Sequence, residues 1–134
     1  MTSYNVFLDD FRHPYDAFHI WKDTDFLKLE WVIVRSHQEF VDKITTEFEK
    51  GNWPSLISID HDLHPEHYEI GENANFQTFD YSLITVPTGL QSAEWLIKFC
   101  KDNKLEMPAY KVHSQNTIGR KNITAALENF CNKI

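Results

Sequence analysis

Cysteine, long apolar runs and positive charge are all scarce in this chain of 134 residues. Its two cysteines, Cys100 and Cys131, fall on helical patterns and lack metal-ligand spacing. A thiolate metal site is therefore not expected, and both read as reduced packing residues of a reducing compartment. No stretch approaches the roughly 18 consecutive apolar residues that a membrane span requires. The opening Met1-Thr2-Ser3-Tyr4 lacks the basic and apolar segments of a signal peptide. These absences point to the cytoplasm. Basic residues number 13 against 20 acidic ones, for a net charge of −7. A broad duplex-binding surface is not expected, because phosphate affinity comes mainly from Lys and Arg. A small phosphate-bearing ligand held by one or two cations remains compatible with that charge.

What is present is a well-packed chain, 42% hydrophobic and 14% aromatic. Its length suits one domain over residues 1–134, large enough to bury a core without staples. Four short apolar runs read as strands: Asn5-Val6-Phe7-Leu8, Trp31-Val32-Ile33-Val34, Leu56-Ile57-Ser58-Ile59 and Ala109-Tyr110-Lys111-Val112. Trp53-Pro54 reads as the turn that bounds the third. Ser36-His37-Gln38-Glu39 and Thr88-Gly89-Leu90-Gln91 are capping boxes that open helices. A last helix follows from the stripe Ile123, Leu127, Phe130 and Ile134. His13-Pro14 reads as a helix breaker, so residues 13–29 are expected to be a long loop with one helical turn. Residues 64–87 read as an insertion after the third strand, a candidate lid, with a hairpin arm over 76–86.

Alternating strands and helices predict a three-layer α/β fold. The simplest arrangement is a four-stranded, mainly parallel sheet in the order 2-1-3-4. Strands one and three are then neighbours and the winding reverses between them, which is where a ligand crevice opens in such sheets. The first strand ends in Asp9-Asp10, the third in Asp60-His61-Asp62 and the fourth in His113-Ser114. An Asp pair at one strand exit is as often an ordinary turn. Four carboxylates at one rim are different, because their repulsion must be relieved by a cation, by raised pKa values or by Arg and Lys. Mg²⁺ suits Asp9, Asp10 and Asp60, with Arg12 and Arg120 as competing neutralisers. His61 and His113, if adjacent, suit a general acid and base. His13, His19, His37, His64 and His67 read as solvated groups in loops or at a cap. The loop Ser114-Gln115-Asn116 through Arg120 offers hydroxyl, amide and guanidinium groups ahead of a helix N-terminus, which favours anions. Phe18, Trp21, Tyr68 and Tyr81 are candidates to stack on a base, although ordinary loop packing is the better explanation of each one.

The motifs Leu8-Asp9-Asp10-Phe11-Arg12, Ser58-Ile59-Asp60-His61-Asp62-Leu63, Thr88-Gly89 and His113-Ser114-Gln115-Asn116 through Gly119-Arg120-Lys121-Asn122 occur in this order along nearly the whole chain. Together they resemble the cyclic-phosphate processing receiver-like domain family, an offshoot of the receiver fold found in bacteria and phages. The resemblance implies a receiver- or flavodoxin-like fold and a phosphoesterase acting on cyclic phosphates of nucleotides or RNA ends. By position it implies that Asp9 and Asp10 match the receiver's acidic metal pair and that Asp60 matches its phosphoacceptor. His113-Ser114 stands where a receiver has its strand-four hydroxyl, and no fifth strand carries the receiver's Lys. The expected roles follow: His61, His113, Asp60 and Asp62 in catalysis; Arg12, Thr88, Ser114, Asn116 and Arg120 on the phosphate; Asp9, Asp10 and Asp60 on Mg²⁺. The alternatives are a nucleotide- or protein-binding module without turnover, and a degenerate receiver phosphorylated on Asp60. Neither duplex DNA nor a membrane is an expected partner.

Overall fold

The computed structural model describes residues 2–132. Four strands, β1 (Ser3–Leu8), β2 (Val32–Val34), β3 (Trp53–Ile59) and β4 (Ala109–Val112), form one sheet in the order β2-β1-β3-β4. All three pairings are parallel. Both the order and the direction match the expectation from alternation.

Side-chain alternation divides the sheet into two faces. Val6, Leu8, Ile57 and Ile59 point to one side and meet three helices: α3 (His37–Glu49), α5 (Gly89–Asn103) and α6 (Thr117–Cys131). Phe40, Ile44, Ala93, Leu96, Cys100, Ile123 and Leu127 supply the other half of that core. Phe7 points the opposite way, into a smaller cluster with Ala17 and Phe26 from the helices α1 (Pro14–Trp21) and α2 (Asp25–Lys28). The handedness rule explains the division. The chain moves one way along the sheet from β1 to β2 and back the other way from β2 to β3, so right-handed crossovers put α1 and α2 opposite α3.

Several local expectations are corrected. Residues 13–29 hold two helices, not a loop, because Pro14 occupies the first helical position, where its missing N–H has no partner to lose. His13 caps that helix, and its backbone N–H donates to Asp16 Oδ2 at 2.9 Å. Trp53-Pro54 is not a turn but the start of β3. The proline is tolerated there because pairing with β4 begins only at Leu56 and the β1 register shifts beside it. No hairpin arm occupies 76–86 among the described residues. The insertion holds a helix, α4 (Pro65–Asn73), and a 3₁₀ turn, Tyr81–Leu83. Cys131 is exposed, not packed, whereas Cys100 is buried. Ile134, the last residue of the helical stripe, lies outside the described residues.

The insertion is closed at its neck. The Glu66 carboxylate accepts the backbone N–H groups of Thr85 and Val86 at 2.7 and 3.1 Å. Next to it, His67 is fully buried. Its Nδ1 accepts from Leu63 N at 2.8 Å and its Nε2 donates to the Val86 carbonyl at 2.7 Å. His67 is therefore a structural pin and not a solvated residue.

Candidate functional site

The sheet ladder runs one residue past β1, β3 and β4. Asp9 N donates to Val34 O, Asp60 N to Leu8 O and His113 N to Ile59 O, at 3.1, 3.0 and 3.1 Å. Asp9, Asp60 and His113 therefore arrive at the rim side by side. One ligating atom of each lies within 4.8 Å of the others, and all three are buried. Residues more than a hundred positions apart in the chain meet in one buried cluster, as the strand exits predict.

Asp9 is held on both oxygens. Oδ1 accepts from the N–H groups of Phe11 and Arg12 at 3.1 and 2.8 Å, and Oδ2 meets His113 Nε2 at 3.1 Å. Burial opposes its ionisation, but the bonds from His113, Arg12 and Phe11 outweigh burial and keep its carboxyl below the usual range. His113 is as fully engaged. Its Nδ1 pairs with Ser58 Oγ at 2.7 Å, its ring stacks on Phe7 at 4.4 Å, and its carbonyl accepts from Trp21 Nε1 at 2.9 Å. Burial pushes its pKa down, and Asp9 opposes this only in part. A neutral ring with Nε2–H on Asp9 and Nδ1 accepting from Ser58 satisfies both bonds; this tautomer is assigned from the network.

Asp10 and Asp60 differ from Asp9. Asp10 Oδ1 and Asp60 Oδ2 are buried and have no hydrogen-bond partner. Burial and the neighbouring Asp9 charge raise Asp10 to about 6. Burial, then Asp9 and Asp62, raise Asp60 well above the usual carboxylate range, despite a bond from Ser114. Two orphaned acidic oxygens beside an ionised Asp9 form a donor set suited to a hard divalent cation. By their chemistry both suit a Mg²⁺ ion, whereas the ligating atoms that converge within 4.8 Å are those of Asp9, Asp60 and His113. Asp9 fits less well, because each of its oxygens already has a partner.

His61 and Asp62 form a second layer on the α6 side. His61 Nδ1 lies 2.6 Å from Asp62 Oδ1 and its Nε2 lies 2.9 Å from Tyr81 Oη. Asn116 Nδ2 also donates to Asp62, at 3.2 Å, and Asn122 Nδ2 donates to Tyr81 at 2.9 Å. His61 is fully buried. Two glycines make this packing possible. A Cβ at Gly119 would overlap the His61 ring, and one at Gly89 would overlap the Asp60 carbonyl. The N-terminal ends of α6 and α5 can therefore close against the β3 exit. Gly119 serves this close approach, within the first turn of α6, instead of a tight bend.

The phosphate candidates separate into two groups. Arg12 and Arg120 are partly exposed at the rim. Arg12 Nη2 donates to Gln115 Oε1 at 2.8 Å and its guanidinium lies over the Phe11 ring. Arg120 lies 5.0 Å over the Trp21 ring, bridging α6 and α1. Thr88, Ser114 and Asn116 have structural partners. Thr88 is fully buried and caps α5, Ser114 Oγ accepts from Asn116 N, and Asn116 Oδ1 caps α6 through Gly119 N at 2.9 Å. Of the aromatic candidates, Trp21 and Tyr81 are held by these polar contacts, and Phe18 packs beside Phe7. Tyr68, 39% exposed on α4, feels the charges of Asp60, Asp10 and Asp62, although burial is the larger cause of its raised phenol pKa.

Residues not assigned a part in catalysis or phosphate binding complete the site. Tyr81 and Asn122 close the bonding of His61, and Ser58 closes that of His113. Arg35, directly after β2, donates from Nη1 to the carbonyls of Arg12 and Asp9 at 2.6 and 3.2 Å. Its place at a third strand exit beside the rim was the available signal. His37, expected to be solvated, bonds through Nδ1 to Ser92 Oγ at 2.8 Å and ties α3 to α5.

A family model described as the Cyclic-phosphate processing Receiver domain matches residues 4–129. No curated protein and no solved structure matches the chain. No described helix is long and apolar enough to cross a membrane.

Proposed function

The chain belongs to the cyclic-phosphate processing receiver family, and from that premise we propose that it hydrolyses a cyclic phosphodiester on a nucleotide or RNA end. The observation that carries this reading is the pair of buried, unpartnered oxygens on Asp10 and Asp60, beside two rim arginines. Asp10 and Asp60 would hold Mg²⁺, which would neutralise charge on the phosphate and polarise it. Arg12 and Arg120 present planar forks suited to the non-bridging phosphate oxygens. In the reaction a water oxygen bonds to phosphorus while one ring P–O bond breaks. The water yields a proton and the departing oxygen gains one.

His61 and His113 take a supporting role in this reading. Each is buried with both ring nitrogens bonded within the protein. His113 orients Asp9, and His61 orients Asp62. The carboxylates of the crevice are the groups left to exchange protons with a bound water.

The same enclosure favours a second reading, a module that binds a cyclic phosphate without turning it over. Incubation with 2′,3′-cyclic and 3′,5′-cyclic nucleotides, in Mg²⁺ or EDTA, followed by ³¹P NMR, separates the two. A phosphomonoester product formed only with Mg²⁺ supports the enzyme. Tight binding with no product supports the module, and neither binding nor product refutes both. A receiver-like role for Asp60 is tested by acetyl phosphate labelling and mass measurement.

A further inference from the structure

We propose that Arg35 is a positioning residue that fixes the Asp9–Arg12 turn and so presents Asp10 and Arg12 to the crevice. The turn is gripped from two sides. From within, Asp9 Oδ1 accepts the N–H groups of Phe11 and Arg12. From without, one guanidinium nitrogen of Arg35 donates to the carbonyls of Asp9 and Arg12, which bracket Asp10 and Phe11. Among the described residues no ion pair engages Arg35, so no surface carboxylate draws it away from these carbonyls.

The need for such a grip follows from the charges. Asp10 has a buried oxygen without a partner, beside Asp9 and near Asp62. A free turn would swing this carboxylate out to water, away from its like-charged neighbours. Holding the backbone on both sides of Asp10 prevents that relaxation. Arg suits the task because its planar guanidinium holds the two N–H groups of that nitrogen in fixed directions, one for each carbonyl, whereas a Lys ammonium is a mobile point charge. The partner strand matters too. Arg35 follows β2, whose last residue, Val34, accepts the Asp9 N–H. The β2 exit therefore holds the β1 exit through both backbone and side chain. This assignment rests on the reading that Asp10 and Asp60 hold a cation and Arg12 a phosphate.

The test compares Arg35→Met and Arg35→Lys with Ile44→Val, which trims the core under α3 far from the turn. Amide hydrogen exchange at Phe11 and Arg12 is read by NMR, and Mg²⁺ affinity by calorimetry. In Arg35→Met these two amides should exchange about tenfold faster relative to the Val6 and Ile57 amides. Mg²⁺ affinity should fall about 10- to 100-fold, the usual effect of losing a group that orients a ligand. Arg35→Lys should recover part of both. Ile44→Val should lower the melting temperature and leave both readouts in place. If Phe11 and Arg12 exchange no faster than Val6 and Ile57 do, the proposal is overturned. If the wild-type protein takes up no Mg²⁺, the cation reading fails, and the exchange result alone decides the role of Arg35.

Discussion

Replacing Asp10 by Asn should stabilise the metal-free protein at neutral pH, an unusual outcome for a residue at a functional rim. Burial and the Asp9 charge raise the Asp10 carboxyl from 3.8 to about 6. At about 1.36 kcal/mol per pKa unit, ionising it within the fold costs about 3 kcal/mol. The side chain is only half enclosed, so solvent screening reduces that to about 1–2 kcal/mol. For a chain of this size, 1 kcal/mol moves the melting temperature by about 3–5 °C. In EDTA at pH 7.5, Asp10→Asn should therefore melt roughly 3–8 °C above wild type. The sign with pH follows from linkage: the folded pKa is raised, so the folded state binds more protons. The cost is present in full above pH 6 and fades as pH falls toward 4, and the advantage of Asn should fade with it. Mg²⁺ should reverse the ranking, since a ligand that binds only the native state adds RT ln(1 + [L]/Kd), about 2.7 kcal/mol at a hundredfold excess over Kd. Scanning calorimetry at pH 4.5 and 7.5, with EDTA or Mg²⁺, measures all four conditions. A lower melting temperature for Asp10→Asn in EDTA at pH 7.5 would refute the reasoning, as would equal stabilisation of both proteins by Mg²⁺.

Other substitutions separate holding from chemistry. His113→Ala removes a fully enclosed ring, its bonds to Asp9 and Ser58 and its stack on Phe7. Thermal unfolding should show a loss of about 2–4 kcal/mol, alongside the loss of any turnover. A stable but inactive variant would instead make the imidazole a proton carrier. Gly119→Ala forces a methyl into His61; it should cost about 1–3 kcal/mol by denaturant titration, and an unchanged midpoint would contradict the packing. Arg12→Ala and Arg120→Ala should each weaken phosphate binding by about tenfold while leaving the melting temperature within a few degrees. Calorimetric titration with inorganic phosphate reads this directly, and undiminished affinity in both variants would move the anion site elsewhere.

The strand order was legible because strands and helices alternate cleanly and right-handed crossovers leave few topologies. The crevice followed, since the Asp and His residues sit directly after apolar runs. Legibility failed where one residue type serves two purposes. His13-Pro14 looked like a breaker, yet proline is equally suited to a helix start. His67 looked like a loop histidine, and only the three-dimensional neck shows why its ring is buried. Arg35 offered only its place at the β2 exit, because its acceptors are backbone carbonyls brought into reach by parallel register. The enclosure of His61 and His113 was the least readable feature. Exposure separates a proton carrier from a brace, and exposure depends on Tyr81, Ser58 and Phe7 closing around the rings.

The neck of the insertion has a consequence for how such a protein can change. Glu66 and His67 clasp Thr85 and Val86, so the two ends of the insertion, between β3 and α5, are held together. Within the span between them Tyr81 bonds His61 and Phe79 packs on the same ring, so the span is free to change only where those two contacts are kept. Selectivity borne by the rest of this span would then evolve around a fixed tie, much as an interchangeable fitting is swapped on a mount that stays in place.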